Sequence, residues 1–148
     1  MVDAFEFARW RQASEDTARA ARVQSNAGIH NWACFLAEQA AQLAVKGLLH
    51  GIGAGAWGHD LVALGRALAE NADLAIPQDV QAALRRLSRH YIPARYPDAH
   101  PSGPPALYYG AADVEQALAD LILIHGFVDF VWRQLDPEDK PRREADEE

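Results

Sequence analysis

The chain has 148 residues, a net charge of −7 and a single cysteine, Cys34. That length suits one domain that needs neither metal nor cross-link to hold its core, and a lone thiol excludes an intrachain disulfide framework. Residues 136–148 hold seven acids against three bases and carry −4 of the charge, leaving −3 on the body. This balance argues against a general polyanion-coating role but allows one local basic site.

The N-terminus has no basic opening and no continuous apolar run, so no signal peptide is expected. The most apolar stretch, Leu121 to Trp132, is interrupted by His125 and Asp129 and is too short to cross a bilayer. A cytoplasmic protein without membrane association is therefore expected.

Asp3 to about Asn26 reads as a first helix, rich in Ala, Glu, Gln and Arg, with Trp10, Ala13, Thr17 and Ala20 on one face. Asn26-Ala-Gly28 is a stop signal. Ile29 to about Leu49 reads as a second helix, with Trp32, Leu36, Ala40, Leu43 and Val45 on a broad apolar side. Glu38, Gln42 and Lys46, spaced by four, are expected on its wet side. The glycine-rich stretch Gly51 to Gly58 reads as a loop. It lacks the Gly-Lys-Ser/Thr ending and the preceding strand of a phosphate-binding loop.

Asp60 is the expected N-cap of a short third helix with Leu61, Leu64 and Leu68 on one face. Pro77 opens a fourth with Val80, Leu84, Leu87 and Tyr91, and Arg85, Arg86 and Arg89 project from the opposite face. Pro93, Pro97, Pro101, Pro104 and Pro105 forbid a continuous helix between Tyr91 and Tyr109. A final helix from about Ala111 to Leu135 carries three apolar stripes, which predicts either a central place in the bundle or a subunit interface. The expected fold is all-α: an up-and-down bundle of four to five helices over residues 1–135 with a Pro-rich loop before the last helix. Residues 136–148 read as an acidic, solvated, disordered tail.

The most basic window is 85–100, where Arg85, Arg86, Arg89 and Arg95 face one acid, Asp98. Within it, Arg95 precedes His100 by five positions. Metal-free RNA cleavage needs a base for the 2′-hydroxyl, an acid for the leaving oxygen and a cation for the phosphorane, and histidine and arginine suit these tasks. On spacing alone the alternative is an Arg95–Asp98 pair with His100 exposed in a turn. The six histidines show no metal-ligand spacing with a third ligand, so no metal and no cofactor are expected. Cys34, between Trp32 and Phe35, reads as a buried core thiol.

Taken together, several segments between Trp10 and Val131 resemble the HEPN family of prokaryotic helical-bundle proteins. They are Trp10, Asp16 and Ala20; Trp32-Ala-Cys-Phe35 with Gln39 to Lys46; His59-Asp-Leu61; Tyr91-Ile-Pro-Ala-Arg-Tyr-Pro-Asp98; and Asp113 to Ala117. The resemblance implies a dimeric bundle that works with a minimal nucleotidyltransferase, in several cases as toxin and antitoxin. It also implies, in active members, metal-independent endoribonuclease activity through an Arg followed four to six residues later by His; others bind nucleotides without cleaving RNA.

Arg95 and His100 match that spacing and are the candidate catalytic pair. Arg85, Arg89, Arg95, Tyr96 and Asp98 are the candidate nucleotide- or RNA-binding residues. Three departures separate this chain from the active pattern: Tyr96 stands where a polar residue usually follows the Arg, Pro97 and Pro101 bracket the motif, and Ser102 stands where modified toxins carry a Tyr. Two readings stay open. One is a toxin-type endoribonuclease, favoured by the spacing. The other is a non-catalytic nucleotide-binding or adaptor module on a nucleotidyltransferase, favoured by the prolines and Tyr96.

Overall fold

The computed structural model describes residues 2–136 and 138. These residues form five helices: α1 (Ala4–Asn26), α2 (His30–Gly51), α3 (Leu61–Ala72), α4 (Gln78–Ser88) and α5 (Ala111–Leu135). Two 3₁₀ turns, Pro97–Ala99 and Pro105–Tyr108, shape the Pro-rich connection, and no strand occurs among the described residues.

Local chemistry sets most boundaries. Asp3 accepts the Glu6 N–H at the start of α1, and Asp60 accepts those of Val62 and Ala63 at the start of α3. Pro77 immediately precedes α4 and leaves no unmet N–H there. The Asp113 carboxylate accepts the Gly110 N–H at the start of α5. Gly28, at φ +74, makes the tight reversal between α1 and α2 that a side chain would strain. α2 runs to Gly51, so the glycine-rich loop begins one residue later than its composition suggests.

The central helix is α2. It touches α1, α3, α4, α5 and the turn at Pro105–Tyr108. Its buried Ala33, Ala37, Ala40, Ala41 and Ala44 let four neighbours approach closely. This revises two sequence expectations. Trp32, assigned to the apolar side, is exposed at the N-terminal end of α2, where its ring meets the edge of Phe35. Glu38 and Gln42, assigned to the wet side, are buried, and the segment entering α3 reaches Gln42 through the His59 carbonyl.

α1 is also turned from its expected face. It buries Phe7, Ser14, Ala18 and Ala21, while Trp10, Ala13, Thr17 and Ala20 are half-buried beside them. Small side chains occupy the contact because α1 lies so close to α2 that a Cβ built on Gly47 would stand 2.8 Å from the Cβ of Trp10.

α5 packs on α2 and α4 through Ala117, Leu121, Ile124, Val128 and Val131 but leaves Ile122 and Phe130 exposed. Cys34 is fully buried, and burial pushes its thiol up to about 12. No helix among the described residues is long and apolar enough to cross a membrane. Of the acidic segment 136–148, only Asp136 and Glu138 fall within the described residues. Asp136 is buried at the end of α5 and accepts the Glu138 N–H at 3.1 Å.

Candidate functional site

The turn that follows α4 carries Arg95, and three aromatic rings surround its guanidinium. The guanidinium carbon lies 4.3 Å from the ring centre of Phe35 on α2, 4.7 Å from Tyr91 and 5.1 Å from Tyr96. Its Nε donates to the Tyr91 carbonyl at 2.9 Å. The terminal nitrogens have no partner among the described residues, and no ion pair joins Arg95 to Asp98. The Arg95–Asp98 alternative is thus replaced by cation–π contacts, which hold the charge at the surface without neutralising it.

Two buried amides secure this turn from beneath. Asn31 Nδ2 donates to the Ala94 carbonyl at 3.0 Å. Gln42 Nε2 donates to the His59 carbonyl at 3.0 Å, and the His59 ring stacks on Tyr91 with centres 5.5 Å apart. Gln42 also donates to the fully buried Glu38, whose other oxygen accepts from Gln39 at 2.8 Å. Burial raises the Glu38 pKa, opposed by those two hydrogen bonds and by the charges of Arg95 and Lys46. A groove of about 410 Å³ lined by His59, Asp60, Ser88, Tyr91, Ile92 and Pro93 opens beside Tyr91.

His100 sits in a second aromatic setting. Its ring stacks on Tyr108 with centres 4.4 Å apart and meets the edge of Tyr109 at 6.5 Å. His100 Nε2 lies 2.6 Å from the Pro93 carbonyl. A carbonyl only accepts, so Nε2 carries the proton and the lone pair of the neutral ring is on Nδ1. The Tyr108 hydroxyl donates to the Ser102 carbonyl at 2.6 Å, which brings it to the position two residues past the histidine. His90 shares a hydrogen bond with the Tyr109 hydroxyl at 3.0 Å, and burial lowers its pKa.

The remaining candidates are dispersed. Arg85 lines a separate groove between α3 and α4 with Arg66 and Leu74, which shares no residue with the groove beside Tyr91. Arg89, Tyr96 and Asp98 are exposed, and no hydrogen bond links Arg95 to His100 or Arg89 among the described residues. Arg86 leaves the basic face altogether. Its fork binds the buried Asp120 of α5 through Nε at 3.0 Å and Nη2 at 2.8 Å, with Gln116 adding a third bond. Adjacent residues on a helix diverge by about 100°, so Arg85 and Arg86 cannot share one surface.

A larger groove, about 570 Å³, lies between α1 and the end of α5, where Arg11 and Asp129 form a two-pronged pair. Nearby, Ser14, His125 and Glu15 look like a nucleophile set. Their polarity is reversed. The buried Ser14 hydroxyl donates to the Ala40 carbonyl at 2.6 Å, so it accepts from His125 Nε2 at 2.7 Å and has no base to activate it.

The sequence model of the HEPN domain matches residues 7–131, and the chain belongs to the HEPN family. Among solved structures it is similar to TT1696 from Thermus thermophilus, with 39% identity and a TM-score of 0.80 over 84% of this chain and 97% of that one. It is also similar to ST0689, an archaeal HEPN homologue, with 31% identity and a TM-score of 0.70 over 84% and 95% of the two chains. A third, the HEPN domain protein tm0613 from Thermotoga maritima, shares 26% identity at a TM-score of 0.69, over 85% of this chain and 98% of that one. No curated protein sequence matches the chain.

Proposed function

We propose that this chain is a nucleotide- or RNA-binding HEPN module that acts with a minimal nucleotidyltransferase, and that Arg95 is the cation that meets a phosphate of its ligand. One observation carries the reading. The Arg95 guanidinium is fixed at Nε and flanked by three rings, yet its terminal nitrogens are left without a carboxylate. A guanidinium held in this way presents its fork ready for phosphate. The exposed Tyr96 and the ring of His59 add faces on which a base can stack. The partnership follows from the family resemblance. A homodimer is supported by Ile122 and Phe130, which α5 leaves uncovered.

The test is fluorescence anisotropy with a labelled, mixed-sequence single-stranded RNA. Arg95→Ala is expected to weaken binding by about tenfold, the worth of one charge-assisted contact. Arg85→Ala, in its separate groove, is expected to leave the affinity unchanged. Equal binding by wild type and Arg95→Ala rejects the assignment.

A second reading, metal-independent endoribonuclease, is favoured by the fixed His100 tautomer, which leaves Nδ1 free to take a 2′-hydroxyl proton. Incubation with an RNA pool in EDTA decides it. Cleavage that disappears in His100→Ala makes the chain an enzyme, whereas intact RNA leaves the binding module.

A further inference from the structure

Glu38 and Gln42 lie one turn apart inside α2, and neither can touch a ligand at the surface. An ionisable side chain with no solvent exposure is costly to a fold unless other groups satisfy it. Here the satisfying groups lead outward. Glu38 holds the Gln42 amide, Gln42 holds the His59 carbonyl, the His59 ring lies against Tyr91, and Tyr91 supplies Arg95 with both its ring and its carbonyl. Tyr91 stands beyond the last residue of α4, where its own N–H makes only a long turn bond of 3.4 Å to the Ser88 carbonyl.

We propose that Glu38 and Gln42 are positioning residues for Arg95: a buried relay in α2 sets the exposed His59–Tyr91 stack, and the stack sets the guanidinium for phosphate. The inference rests on the reading of Arg95 as the ligand's cation. A merely structural stitch between α2 and the start of α3 would support stability without selective dependence on Arg95. Positioning makes the contribution of each link vanish when the guanidinium is absent.

The experiment uses the full chain and the same labelled single-stranded RNA, with single variants and their doubles with Arg95→Ala. Gln42→Leu removes the amide. His59→Ala removes the stack at an exposed position and keeps the test open if Gln42→Leu does not fold. Each is expected to weaken binding by about threefold to tenfold alone and to add nothing in the Arg95→Ala background. Glu38→Leu is expected to weaken binding likewise. Glu38→Gln, whose amide oxygen still accepts from Gln42, restores it.

Single variants that bind like wild type, or losses that add in full to that of Arg95→Ala, overturn the relay and leave the Arg95 reading standing. A Glu38→Gln protein that binds no better than Glu38→Leu removes Glu38 from it. An Arg95→Ala protein that binds like wild type overturns the relay and the parent reading together.

Discussion

Gly47→Val is expected to destabilise the fold by about 3 kcal/mol, the upper end for overpacking a close contact. Glycine inside a helix normally costs about 1 kcal/mol relative to alanine, so its place in α2 calls for a reason. The reason is the distance between helices. A Cβ on Gly47 meets the Cβ of Trp10 at 2.8 Å, the Arg11 backbone nitrogen at 3.5 Å and the Phe7 carbonyl oxygen at 3.6 Å. None of these is the free end of a flexible side chain, so α1 itself must move.

That movement would also stretch the bond from Ser14 to the Ala40 carbonyl and the Arg11–Asp129 pair. Gly47→Ala should cost less, because the gain in helix propensity offsets part of the clash. Urea unfolding measures both. The expected signature is a lower midpoint with an unchanged slope. A valine variant as stable as wild type would mean that α1 shifts freely.

His125 is also expected to cost the fold about 2 kcal/mol of stability between pH 6.5 and pH 5. Burial lowers its pKa to about 4, with Arg11 opposing protonation and Glu15 favouring it. In the unfolded chain the imidazole titrates near its ordinary value of about 6.5. The unfolded state therefore binds a proton that the folded state refuses as pH drops through this interval. The stabilisation is complete above the unfolded value and is lost progressively towards the folded one.

The geometry agrees with a neutral ring. Ser14 requires a proton on Nε2, and Nδ1 faces Glu15 at 3.8 Å, beyond a hydrogen bond. His125→Gln keeps a donor for Ser14 but does not titrate. Its unfolding free energy should fall less steeply than that of wild type from about pH 6.5 to pH 5, the remaining slope coming from His90, whose pKa burial also lowers. A profile parallel to that of wild type would assign the pH dependence elsewhere.

The helices could be read because their determinants are local. The Asp60 cap, Pro77 and the proline cluster each act within a few residues of where they stand, and α1 and α5 fall within a residue of their expected limits, whereas α4 stops at Ser88, three residues short of the Tyr91 that closes its expected stripe. The burial of Glu38 and Gln42 could not be read in this way. Polar residues four apart look the same whether water or another segment covers them, and the group that meets Gln42 is the His59 carbonyl, supplied by a loop after α2 has ended.

One signal was present. Ala37, Ala40, Ala41 and Ala44 flank the polar pair on both sides, and a helix lined so heavily with alanine is a helix about to be surrounded. At the site, sequence spacing brings Arg95 and His100 into one segment. The ring closest to the guanidinium is Phe35, from a helix far earlier in the chain, and no local pattern announces that contact.

The pair between Arg86 and Asp120 has a consequence for what binding must cost. Arg86 stands just before the end of α4, and Asp120 lies in the third turn of α5, so their fork ties together the two helices between which the Pro-rich segment is strung. The ends of that segment are pinned, and its prolines remove backbone freedom between them. The conformational entropy of ordering the segment is then charged to folding, before any ligand arrives. On the proposed reading of Arg95, a ligand would find a surface already arranged, and more of the gross interaction energy would survive as affinity than on a loop that must first be ordered.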